Sequence, residues 1–219
     1  VGERILGYPT PTVVKEVDFL KSIIPAEEEG SEEEATGDSV GRIDTVLVRP
    51  GVSPLQWCAL ELQAVYFSGD EMGPEYKVVA ETPIGQFPFP VGRRRPDFRS
   101  SGPKRLMPQL QIKVPTLRRW GKKMAVVVDK PFFNSLGPMD RIDHLSNADI
   151  AWFVVAFSDT GGDFAQMNLD EVFFTTLESA IEGLTAGTPV PLEEFESDLA
   201  TRLHDPKRKR NGTVITLDK

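Results

Sequence analysis

One charge stands inside an apolar run. Residues 57–67, Trp57-Cys58-Ala59-Leu60-Glu61-Leu62-Gln63-Ala64-Val65-Tyr66-Phe67, read as a buried strand. Successive strand side chains point to opposite faces, so Glu61 and Gln63 share one face while Leu60, Leu62 and Ala64 take the other. In a strand covered on both faces an unpaired carboxylate is costly or loses its charge. Glu61 therefore needs a cation, a donor or a proton. The preceding run, Arg42-Ile43-Asp44-Thr45-Val46-Leu47-Val48, is a second strand pattern in which Asp44 shares a face with Val46 and Val48. Arg49-Pro50-Gly51-Val52-Ser53-Pro54 breaks the chain between them, which lets the strands lie side by side with Asp44 near Glu61 and Gln63. Two carboxylates held together repel each other unless a divalent cation neutralises them. The pair reads as a magnesium site.

The rest of the pattern supplies the frame. Val13, Val17, Leu20 and Ile24 fall on one face of a helix over 12–24, which Pro25 ends. Glu27 to Glu34 reads as a solvated acidic linker, because flexible carboxylates lack the geometry of a metal site. Ser68 to Pro90 reads as a long loop with a short strand at 76–80. A helix over 103–120, or two short ones, opens at Pro103 and stops at Gly121, with Pro108 and Pro115 inside. Apolar strands follow at 123–129 and 148–158, then segments at 177–184 and 191–204 and a basic turn from Asp205 to Gly212. The expected fold is α/β, a mixed central sheet flanked by helices. Its expected divisions are an N-terminal helix and acidic linker (1–36), a core (37–187) and a C-terminal helix with a basic tail (188–219).

Composition changes this picture in three ways. There is no apolar run long enough to span a membrane as a helix. The single cysteine, Cys58, rules out an internal disulfide and any multi-cysteine metal centre; it reads as a small core residue, and a reducing cytoplasm is the expected home. Val1-Gly2-Glu3-Arg4 has neither an initiating methionine nor a secretory h-region, so the chain reads as a trimmed or partial product. The net charge of −8 argues at first against nucleic acid, but Val91 to Lys123 holds eleven basic residues and one acidic, a local +10 against −18 for the remaining 186. That asymmetry predicts a basic face on an acidic body.

Three stretches carry a resemblance: Trp57 to Gly69 with its Glu61-Leu62-Gln63, Arg94-Arg95-Pro96-Asp97-Phe98-Arg99-Ser100-Ser101-Gly102-Pro103-Lys104-Arg105-Leu106, and Leu117-Arg118-Arg119-Trp120-Gly121-Lys122-Lys123. Together with Asp44 they resemble the NotI-type restriction endonucleases, of the PD-(D/E)xK nuclease superfamily in the variant where glutamine replaces the usual lysine. The similarity runs from about Asp44 to about Gly187. It implies an αβββαβ core and a type II enzyme that hydrolyses double-stranded DNA with Mg2+ at a palindromic site, a GC-rich sequence being one candidate. It further implies a homodimer with two-fold symmetry. Asp44 and Glu61 would be the metal ligands, the Leu62 carbonyl a further one, and Gln63 a water-orienting or structural residue. Arg93, Arg94, Arg95, Arg99, Lys104 and Arg105 would contact DNA through phosphates and guanine edges.

The sequence also departs from that pattern. An amide orients water but carries no charge and no useful basicity, so Gln63 leaves the general base unassigned. A second metal, a substrate phosphate or a lysine from elsewhere, such as Lys130, are the candidates to compensate. The family's namesake carries a four-cysteine iron site, which Cys58 alone cannot build. Asp129 reads as a cap at a strand end rather than a third carboxylate, and Pro96-Asp97 as a turn. His144 and His204 have no companion at ligand spacing and read as surface residues. Residues 100–104 lack the leading glycine of a phosphate loop. Two other readings stand beside the nuclease: a non-cutting DNA-binding module of the same fold, and a structural or interaction domain in which Asp44 and Glu61 pair with arginines such as Arg42.

Overall fold

A computed structural model describes residues 1–22, 39–83, 86, 92–161, 165–187 and 190–205. The chain divides into two units, Val1–Ala186 and Gly187–Lys219. The first contains, in order, α1 (Gly2–Leu6), β1 (Thr12–Lys21), β2 (Ser39–Arg49), β3 (Gln56–Gln63), β4 (Phe67–Gly69) and α2 (Gly73–Glu81). Then come β5 (Arg94–Pro96), α3 (Phe98–Ser101), a π-helical turn (Gly102–Leu106), α4 (Met107–Arg119), β6 (Met124–Asp129), α5 (Lys130–Phe133), β7 (Ile150–Asp159), β8 (Ala165–Thr175) and α6 (Leu177–Thr185). In the second unit α7 (Leu192–His204) places Leu192, Phe195, Leu199 and Leu203 at helical spacing.

Six strands form one mixed sheet in the order β1-β2-β3-β6-β7-β8. β1, β2 and β3 run antiparallel as a meander, β6 lies parallel to β3, β7 parallel to β6, and β8 antiparallel to β7. The two central parallel strands are the most apolar, as expected for strands covered on both faces. Met124, Ala125, Val126 and Val128 of β6 and Ile150 to Val154 of β7 are all buried. One face packs Ala59, Val126, Val128, Trp152 and Val154 against Leu110, Val114 and Leu117 of α4 and Leu177, Ala180 and Leu184 of α6. The other face, with Ala125, Ala151 and Phe153, is covered by Val1 and Ile5 at α1. The protein is thus a mixed α/β structure whose central mixed sheet is flanked by helices.

Several expectations are corrected. Residues 12–21 are a strand, not a helix; β-branched Val13, Val14 and Val17 favour it, and a kink at Glu16, whose φ is 55°, breaks the alternation that would have shown it. The strand carrying Glu61 ends at Gln63, and Phe67–Gly69 leaves to pair with β5. Residues 76–80 belong to helix α2, started by Pro74 in its first turn. The basic helix is α4, continuous with the π-turn and α3 before it. β8 was not foreseen, since its outer half is polar and exposed. The acidic run 27–34, Phe87–Pro90 and the basic turn beyond Asp205 lie outside the described residues.

Candidate active site

The β2–β3 ladder pairs Val46 with Ala59 and ends with Thr45 and Leu60, and Asp44 and Glu61 are the next residues of the two strands beyond that last pair. Glu61 is 7% exposed, whereas the Asp44 side chain is 62% exposed, so the pair runs from the covered sheet out to solvent. The cation that Glu61 requires comes from α4. Lys113 Nζ lies 2.8 Å from Glu61 Oε2 and 3.5 Å from Asp44 Oδ2, and the lysine is itself buried. Arg42 is engaged elsewhere, with Asp18 at 3.0 Å and Glu16 at 3.3 Å.

Lys113 was not singled out as the partner of these carboxylates, although the sequence holds its signal. Leu106, Leu110, Val114 and Leu117 form the buried stripe of this helical stretch. Lys113 falls inside that stripe, three residues after Leu110 and four before Leu117. A lysine at a core-facing position needs a buried partner. Pro103, Pro108 and Pro115 obscure the helix and with it the stripe.

The residues fit a magnesium ion. Both side chains offer hard carboxylate oxygens, and an ammonium group already stands between them as a unit of positive charge. Magnesium is commonly held by one or two carboxylates, keeping waters or substrate oxygens in its other positions. Among the described residues no group of three or more His, Cys, Asp or Glu side chains is placed to bind a metal. Gln63 is half-buried on the Glu61 face, and its amide donates to the Ala64 carbonyl. Leu62 turns its side chain to the opposite face and pairs with Val127. Asp129 caps α5 by accepting from the Phe132 N–H at 2.9 Å. Lys130 pairs with Asp170 at 3.1 Å, which engages it away from the carboxylate pair.

Several of the basic residues are held by partners within the chain. Arg94 is buried against Glu75 at 2.6 Å and also donates to the Asp70 and Glu71 carbonyls, so it pins the β5 segment to α2. Arg118 bridges Asp149 and Glu178, and Lys123 donates to the Ser146 and Ala148 carbonyls. Arg93, Arg95, Arg99, Lys104 and Arg105 are exposed. Arg93 directly precedes β5 and the others lie on β5, α3 and the π-turn, which are fastened to the chain just after β3. Asp97 N donates to the Tyr66 carbonyl at 2.7 Å, and Tyr66 N to Ser101 Oγ at 2.9 Å. Tyr66 stands three residues after Gln63, at most about 11 Å of chain. The Arg105 guanidinium stacks on the Tyr66 ring at 3.7 Å, beside a cleft of about 370 Å³ lined by Tyr66, Asp97, Ser100, Lys104 and Arg105. Asp97 is the N-cap of α3; hydrogen bonds from Ser100 hold its carboxyl below the usual range. His144 and His204 are exposed.

Comparison with known proteins gives one family. No curated protein matches the chain. The family model described as "Restriction endonuclease NotI" matches residues 1–167, which include Asp44, Glu61, Gln63, the exposed basic segment and Lys113. By that match the chain belongs to the NotI restriction endonuclease family.

Proposed function

We propose that the protein is a type II restriction endonuclease of the PD-(D/E)xK kind, hydrolysing DNA with magnesium held by Asp44, Glu61 and the Leu62 carbonyl. One observation carries the reading: Asp44 and Glu61, on adjacent strands across a chain break, converge on a single cation. The order α1, β1-β2-β3 meander, α4 and parallel β6 supports the αβββαβ core.

Hydrolysis forms a bond from a water oxygen to phosphorus, breaks one ester P–O bond, and moves a proton from the water to the departing oxygen. Held by Asp44 and Glu61, a magnesium ion would supply Lewis acidity toward the phosphate and toward the attacking water. The chain's own residues set the positions. Glu61 is fixed by burial and by Lys113, while the exposed Asp44 leaves one side open to substrate. Gln63 orients water by hydrogen bonding. Arg93, Arg95, Arg99, Lys104 and Arg105 hold the DNA backbone and read base edges; Arg94 holds the segment that carries them. Cutting both strands of a palindrome requires two copies of the site, hence a two-fold symmetric homodimer.

The test is digestion of a long, sequence-diverse linear DNA with Mg2+, with Glu61→Ala and Asp44→Ala as controls and sequencing of the ends. Discrete fragments that vanish in both variants support the reading and give the cut site. Salt-sensitive binding without cutting replaces it with a non-cutting DNA module. Absence of both leaves Lys113–Glu61 as a structural ion pair.

A further inference from the structure

We propose that Lys113 is the second cation of the site: its ammonium holds the Asp44–Glu61 pair until a divalent cation displaces it, and it then contacts the scissile phosphate. The inference rests on the nuclease reading above. Two carboxylates gathered on one point need neutralisation in the DNA-free protein, and Lys113 Nζ supplies it at 2.8 Å from Glu61 and 3.5 Å from Asp44. A divalent cation at those oxygens and the ammonium compete for the same negative charge. Lys113 is buried on the sheet-facing side of α4, and its ammonium lies 3.5 Å from the carboxylate of exposed Asp44. A displaced ammonium therefore stays at the site.

The chemistry calls for such a group. Negative charge builds on the phosphate and on the departing oxygen during hydrolysis, and preorganised cations or donors are the main means of stabilising it. Gln63 has no charge to offer. Lys130, the other lysine near the end of the central strands, is paired with Asp170. Lys113 is the cation that the fold delivers to Glu61, from a helix rather than from the glutamate's own strand.

The experiment uses Lys113→Gln, which keeps a hydrogen-bond donor for Glu61 and removes the charge, beside Lys113→Arg, which keeps the charge. Mn2+ binding to the DNA-free protein is measured by the paramagnetic resonance of the free ion. Cleavage is measured with Mg2+, and DNA affinity with Ca2+. Lys113→Gln is expected to bind Mn2+ about tenfold tighter, because the competing charge is gone. It is expected to cleave about 10²–10³-fold more slowly, with DNA affinity reduced by no more than about tenfold for the one phosphate contact removed. Lys113→Arg is expected to recover cleavage to within about tenfold of wild type.

Cleavage by Lys113→Gln at the wild-type rate overturns the inference. So does a parallel loss of Mn2+ affinity and cleavage, since a purely structural pair moves both the same way. A wild-type measurement guards against a variant that does not fold: acylation of Lys113, followed by mass spectrometry, should accelerate several-fold on Mn2+ addition as the ammonium leaves the carboxylates. An unchanged rate overturns the inference as well. If wild type does not cut, or Glu61→Ala cuts equally, the nuclease reading fails instead.

Discussion

Glu61 Oε2 and Lys113 Nζ meet at 2.8 Å, although 52 residues separate them in the chain. Both are buried, and the pair joins β3 to α4 beneath the solvent-facing Asp44. Breaking a buried pair leaves a charge without compensation and costs about 3–5 kcal/mol, while an exposed partner is worth at most about 1 kcal/mol. Glu61→Ala and Asp44→Ala should both abolish cleavage, yet only Glu61→Ala should lower stability by the larger amount. Chemical denaturation of the two variants checks this. Glu61→Leu combined with Lys113→Met should regain most of the lost stability without regaining activity.

Arg94 and its neighbours should separate into two classes. Arg94→Ala removes a buried partner of Glu75 and should cost about 2–3 kcal/mol, read by denaturant unfolding. Arg95→Ala and Arg99→Ala should leave stability nearly unchanged and weaken DNA binding, each reducing the slope of log K against log salt by about 1. Binding isotherms at several salt concentrations, with Ca2+ in place of Mg2+, distinguish the two.

Cys58 is fully buried, and burial pushes its thiol up from the ordinary 9.0 to about 11. The folded protein should resist iodoacetamide at pH 8, while the unfolded chain reacts at the ordinary rate. The thiol of the unfolded chain ionises first as pH rises, so the folded state binds the extra proton. Stability from this group is therefore complete below about pH 9 and is lost on the way to about pH 11. Cys58→Ala should show a shallower alkaline loss than wild type in paired unfolding curves.

Arg118 ties the end of α4 to the start of α6 through Asp149 and Glu178. Asp149 accepts from the Leu177 N–H at 3.0 Å, so the same carboxylate also holds the first turn of α6. Glu178 lies below its ordinary value, held first by a backbone N–H in that turn and then by Arg118. A depressed carboxyl favours the folded state above its unfolded value and loses that contribution as pH falls through the folded one. Arg118→Ala should flatten the acid limb of the stability profile below about pH 4.5, measured by thermal unfolding across the range.

Asp44 and Glu61 were visible in the sequence because a carboxylate in an apolar strand violates the local pattern, and the Pro50 and Pro54 break fixed how the strands meet. Asp129 was legible as a cap for a similar local reason, whereas Asp97, read as a turn residue, is the N-cap of α3. Where the determinants were tertiary, the reading failed. Val13, Val17, Leu20 and Ile24 imitate a helix face, and only pairing with β2 makes 12–21 a strand. Tyr76 to Ala80 is rich in strand formers, yet the Gly73-Pro74 start made it helix α2. The basic count from 91 to 123 suggested one face, but it could not show that Arg94, Lys113 and Arg118 turn to internal carboxylates. Charge counts carry no direction; packing does.

That Lys113 reaches Glu61 from α4 ties the site's integrity to helix docking. Residues sharing one strand keep their spacing even in a partly opened chain, whereas this pair exists only while α4 lies on the sheet. Amide hydrogen exchange along α4 therefore times how long the assembled site survives between openings. Any binder or substitution that lifts α4 separates Lys113 from Glu61 without touching a residue of β2 or β3.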